Sequence, residues 1–163
     1  MGYALAIASV AVAFLAMVIA FLALWWSRRT WRASVEQNRR DMFLGLHEKL
    51  SSAEQQTGRR FLREKIGSLR DAEVLRREDP NCLRQVVGAL AMLDILGLYV
   101  EKGFVDKELV FEEWGSLLAE LHPHGVHVIE ERRQNRGSGR KLWPHFRRLA
   151  LEAATWVERQ DQL

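Results

Sequence analysis

At 163 residues with a formal net charge of +3, the chain has room for one domain with its own core beside a membrane segment, and not for two comfortable ones. Its single cysteine, Cys82, excludes an intrachain disulfide, and with it the small disulfide-framed scaffolds of secreted proteins. The arginine excess is modest and patchy, falling after residue 26 and again over residues 132–148, a pattern suited to anionic lipid headgroups near a bilayer.

Residues 3–26 (YALAIASVAVAFLAMVIAFLALWW) carry no charge. As a helix rising ~1.5 Å per residue they extend about 36 Å, enough to cross a hydrocarbon core of ~30 Å with some tilt. Tyr3, Trp25 and Trp26 fall where amphipathic rings favour the headgroup level. A cleaved secretory signal would need a basic start, a shorter apolar core and a small-residue cleavage site, and the stretch has none of these. Ala4, Ala8, Ala16 and Ala20 recur on a four-residue grid, but without a Gly-xxx-Gly pair they read as an alanine-rich anchor. Arg28, Arg29, Arg32, Arg39 and Arg40 follow the run, whereas only the terminal amine precedes it. The positive-inside rule therefore places the N-terminus outside and the C-terminal part in the cytoplasm, with these arginines at the membrane surface.

The helix is expected to continue as a stalk to about residue 50, because Trp31, Val35, Met42, Leu46 and Leu50 keep a near-helical period without proline. Ser52 followed by Gln55 fits a capping box, starting a helix at Ala53 that buries Phe61, Leu62 and Ile66. Residues 70–78 read as a charged connection with a short helical turn. Asp79-Pro80 opens the next helix, which runs to about Lys102 and stops at Gly103. Apolar side chains occupy nearly its whole circumference, the mark of an enclosed helix. A second span is not read here, because Asp94 interrupts an apolar run already far too short. Asp106 caps a further helix, in which Val110, Trp114, Leu117, Leu118 and Leu121 form the cleanest amphipathic stripe; it is expected to pack on the apolar helix as an antiparallel hairpin. A new helix is expected from Pro123 towards Arg133, and a last one from residues 142–144 to about Glu158, burying Phe146, Leu149, Ala153 and Trp156.

Chemistry-bearing residues are few. Asp94 lies among Met92, Leu93, Ile95 and Leu96, so it needs a partner if buried, and an arginine such as Arg133 is the expected one, giving a structural polar core. No catalytic set accompanies it, since no histidine, nucleophile or second acid stands at helical spacing. His122, His124 and His127 are weak metal candidates without a Cys, Asp or Glu in their six-residue cluster. The Arg-Gly-Ser-Gly-Arg loop at 136–140 lacks the strand and lysine of a phosphate-binding loop. Arg132, Arg136, Arg140, Lys141, Arg147 and Arg148 form a second basic patch, for which membrane contact or an acidic protein partner requires fewer assumptions than nucleic acid. No cofactor is implied.

The segment from the apolar helix to the closing Trp143, Phe146 and Leu149 resembles the C-terminal part of an uncharacterised group of small bacterial proteins with one N-terminal span and a cytoplasmic helical domain. Asp94 on its apolar helix, the Gly-Phe-Val-Asp turn into Glu-Leu-Val, and the pair Ile129 and Arg133 carry the likeness over residues 80–150. It implies a bacterial inner-membrane location and supplies no activity.

The sequence is thus read as all-α: an anchor at 1–26, a stalk at 27–51 and a cytoplasmic bundle of four to five helices at 52–163. The function expected is a non-enzymatic interaction or scaffold module bound to the bilayer, with a protein partner or a second copy of itself. Two alternatives stand beside it: a ligand or metal sensor or small enzyme using Asp94 and residues 122–127, and a membrane tether for nucleic acid.

Overall fold

The computed structural model describes residues 2–136, 142–160 and 162, with side chains except those of 2–16, 29, 32, 33, 35, 36 and 136. Among the described residues all regular structure is helical: α1 (Gly2–Leu50), α2 (Ala53–Lys65), α3 (Leu69–Glu78), α4 (Pro80–Glu101), α5 (Lys107–Arg136) and α6 (Pro144–Gln160). The chain divides into two compact units, Met1–Asp41 and Met42–Leu163.

The first unit is helical throughout its described residues, and every side chain from Met17 to Arg28 is exposed. Thr30 and Ser34 return their hydroxyls to carbonyls of the preceding turn, at Trp26 and Ser27 and at Trp31. Such back-bonding lets hydroxyl residues sit inside a helix without competing for its ladder.

The second unit is a helical bundle entered by the last two turns of α1, whose Leu46 and Leu50 are buried. Ser52 caps α2 through the amide of Gln55, Asp79 caps α4 through that of Cys82, and Asp106 caps α5 through those of Glu108 and Leu109. Gly103, at φ +68°, closes α4 in the left-handed conformation that only glycine adopts without cost. Leu62, Val86, Leu90, Leu96, Leu118 and Phe146 are among the fully buried side chains, each contributing about 1.5–3 kcal/mol. Among the described residues α4 is the one helix long and apolar enough to cross a membrane, but its stripe from Cys82 through Val86, Leu90 and Leu93 to Leu96 is core of this bundle.

Three expectations are corrected. Residues 70–78 are not a connection: α3 forms because Ser68 accepts from the Asp71 amide while its hydroxyl donates to the Asp71 carboxylate, a reciprocal cap that also takes the Gly67 amide. No helix ends before Pro123; α5 runs through it. The missing hydrogen bond, worth about 3 kcal/mol in a helix interior, is offset by burial of Leu118 and Leu121 on one side and Val128 and Ile129 on the other. Finally, α5 packs mainly along α6 rather than as a hairpin on α4, which lies instead along α2 and α6. The small residues Gly115, Ala150 and Ala153 permit that approach, and the Trp156 ring lies over the position a Cβ of Gly115 would take.

Candidate functional site

The most organised polar arrangement is the edge of α4 that receives the start of α6. Asp94, Gly97 and Glu101 recur at i, i+3 and i+7 and so share one face. At the opposite wall, Trp143 is bent to φ +45° and Pro144 takes the first helical position, where its missing N–H costs nothing. The orphan amides left are those of His145 and Phe146, and Trp143 has no acceptor to offer them. Asp94 supplies it from α4: Oδ1 accepts from both amides at 2.9 Å. Gly97 makes room for the approach, since a Cβ there would stand 2.6 Å from the His145 carbonyl oxygen. One turn on, Glu101 Oε2 lies 2.7 Å from His145 Nδ1 and 2.7 Å from an Arg148 Nη2. The His145 hydrogen bond, and then the Arg148 charge, hold the Glu101 carboxyl below its ordinary range.

Among the described residues, then, Asp94 forms no ion pair with an arginine. Arg133, the expected partner, bonds instead to Glu130 at 3.2 Å, one turn earlier on its own helix. Among the described residues the buried charge is Glu131, with 1 % of its surface exposed, accepting from Arg76 Nε at 2.6 Å and Asn135 Nδ2 at 2.8 Å. Sequence reasoning passed over it, although Leu121, Val128 and Glu131 continue one stripe at i, i+7 and i+10. Its partner sits on α3, the helix read as a connection.

The three candidate histidines face different neighbours. His124 donates from Nδ1 to the Ile66 carbonyl at 2.6 Å and so closes the C-terminus of α2. His122 is half-buried, and burial followed by the Arg147 charge lowers its pKa; His127 acts electrostatically on Asp71. None bonds to Asp94, and among the described residues no three His, Cys, Asp or Glu side chains are grouped to hold a metal ion.

Of the expected membrane-surface arginines, Arg28, Arg39 and Arg40 are exposed, while the side chains of Arg29 and Arg32 lie outside the described residues. In the second patch, Arg132 stacks 5.5 Å from the Trp143 ring centroid, and Arg147 and Arg148 are exposed on α6. The side chain of Arg136, and Arg140 and Lys141 entirely, lie outside the described residues. A groove of about 380 Å³ between α2 and α5 has Leu117 and Leu121 as lining and Arg59, Arg60 and Arg63 beside them. Each guanidinium has a partner: Arg59 donates to the Leu50 carbonyl, Arg63 to Glu120, and Arg60 lies 4.0 Å from Glu64. Such an arrangement fixes helices against one another and presents a mixed apolar and basic exterior.

The model of the family described as Domain of unknown function (DUF4760) matches residues 10–153, well beyond the 80–150 over which the resemblance was read. No curated protein and no solved structure matches the chain.

Proposed function

Since the chain belongs to the DUF4760 family of unknown function, we propose from its own architecture that it is a membrane-anchored interaction module: a single N-terminal helix in the bilayer and a helical bundle presented to protein partners. The observation that carries this reading is the exposure of an uncharged helical surface. Ile19, Phe21, Leu22, Leu24, Trp25 and Trp26 all stand between 52 and 71 % exposed, in a unit that has no second helix among its described residues. Apolar surface costs about 25 cal/mol per Å² in water, so a run of this kind requires a cover, and its charge-free extent to residue 3 suits lipid. The arginines after residue 27 favour a cytoplasmic bundle, and the resemblance to small bacterial membrane proteins favours the inner membrane.

The test is in two parts on the full chain. It should stay in the membrane pellet after alkaline extraction; release into the supernatant would defeat the anchor. Crosslinking in native membranes should then yield a recurring protein adduct whose linked peptides map to the bundle's exterior. A co-purifying metal, small molecule or nucleic acid with no protein adduct would replace this reading with the sensor or the tether.

A further inference from the structure

We propose that α4 pairs antiparallel with α4 of a second copy of this chain, through a face that the bundle covers only in part. This names the partner within the interaction-module reading and rests on it. The face lies opposite the buried stripe of α4. Between Arg84 and Lys102, about 27 Å of helix, the charged residues of α4 are Asp94 and Glu101, and both are turned to α6. Along the side opposite the buried stripe lie Gly88, Ala91, Ile95 and Leu98, at i, i+3, i+7 and i+10, with Ile95 exposed and the other three part-buried. A soluble helix ordinarily places charge there.

The relief of this face argues for a copy of itself. Ile95 protrudes, 42 % exposed, and two turns earlier a Cβ at Gly88 would meet nothing within 4 Å. A two-fold axis near residues 91 and 92 sets the Ile95 of each chain into the Gly88 notch of the other, an isologous contact in which one knob and one hole are used twice. The same register places each Arg84 beside Tyr99 of the other helix, a cation over an aromatic ring. Parallel pairing in register would instead oppose Arg84 to Arg84 and Lys102 to Lys102, and would leave two notches facing each other. A lipid surface has no use for a notch aligned with a knob. Small residues at the crossing let two helix backbones approach closely, as Gly58 already does for α2, where a Cβ would stand 2.5 Å from the Gln85 carbonyl oxygen.

The test uses the full chain in native membranes and mild oxidation of an Ala91→Cys variant, with the wild type as control because Cys82 is buried. A disulfide-linked dimer is expected from Ala91→Cys and not from the exposed α5 position Glu112→Cys. Filling the notch by Gly88→Leu, which meets open space within its own chain, should lower the Ala91→Cys dimer about tenfold, as should Ile95→Lys at the knob. Helical content of each variant is checked by circular dichroism. A dimer band that survives both substitutions, or that Glu112→Cys matches, overturns the pairing. So does the absence of any band, including the case in which vesicles shield Ala91→Cys from a water-soluble maleimide and lipid is the cover. If a different protein is captured while Ala91→Cys gives no dimer, the module reading stands and this inference fails. If the chain leaves the membrane on alkaline extraction, the anchor fails and the α4 pairing is still read from the cysteine series.

Discussion

Two helical stretches of this chain are apolar enough to invite the same interpretation, and the company they keep separates them. In α1 the side chains from Met17 to Arg28 are exposed, and that stretch carries no glycine notch and no acid with which to grip another helix. In α4, Leu90, Leu93 and Leu96 are buried, Asp94 holds two amides of α6, and Gly97 admits the His145 backbone. Both are strongly apolar in sequence, whereas the devices for protein contact occur in α4. Apolarity states that a surface must be covered; spacing of small and acidic residues states that protein does the covering.

The sharpest way to break this contrast is to place a charge in each helix. Leu15→Arg in α1 would put a cation near the middle of the uncharged run, at an expected cost of about 3 kcal/mol, and joined to Phe14→Asp about twice that. The double variant is expected to leave the alkaline-extracted membrane pellet almost entirely. Ile95→Arg on the exposed face of α4 should leave the pellet unchanged; equal loss from both would mean that α4 too lies in lipid. Next in size is the buried acid. Arg76→Ala strips Glu131 of its ionic partner and leaves Asn135 alone beside it, so the urea midpoint in detergent should fall by the equivalent of about 2–3 kcal/mol. Little change would show that the Asn135 amide alone is enough to hold the acid.

Much of this fold is legible in the sequence because it rests on short-range rules. Ser52, Asp79, Asp106 and Gly103 are local signals for helix ends, and each acts as such. The failures share a physical cause. Pro123 would end a helix by local rules, yet packing on both sides outweighs one lost hydrogen bond. Asp94 was recognised as needing a partner, but its donors are amides 51 and 52 residues away, and an amide carries no identity in the sequence. Glu131 escaped notice because charged neighbours at Glu130, Arg132 and Arg133 disguise a buried position as a solvated run. The histidines, clustered in sequence, disperse because His122 stands two and five residues from the others and so on a different face, while His124, on the same side of α5 as His127, is bonded to the Ile66 carbonyl.

A smaller effect bears on how α4 holds α6. Asp94→Ala orphans two amides at a helix start and is expected to cost about 2 kcal/mol, read as a lowered thermal midpoint. Asp94→Asn keeps an oxygen at the same place and should restore at least half of that. Both variants should stay in the membrane pellet, since the anchor proposed above lies in α1. If Asn fails as fully as Ala, the negative charge at the α6 N-terminus, rather than the acceptor, holds the joint.

The smallest expected effect is a pH dependence with two separable windows. Burial and the Arg147 charge lower the His122 pKa from its ordinary 6.5, so the folded state prefers the neutral ring. Its contribution is complete above that value and is lost as pH falls below it, because the unfolded chain then binds the proton more readily. Glu101 is lowered from 4.5 by its His145 bond and by Arg148, so its contribution persists through mild acid and is lost only as pH falls below the ordinary carboxyl range. His122→Gln should therefore flatten the thermal midpoint as pH falls below 6.5 and leave the steeper acid limb intact. Glu101→Gln should do the reverse, weakening only the limb below about pH 4.5. Should His122→Gln alter the lower limb, the histidine and the α4–α6 joint are coupled, and the contacts that hold α6 to α4 and to α5 act as one unit.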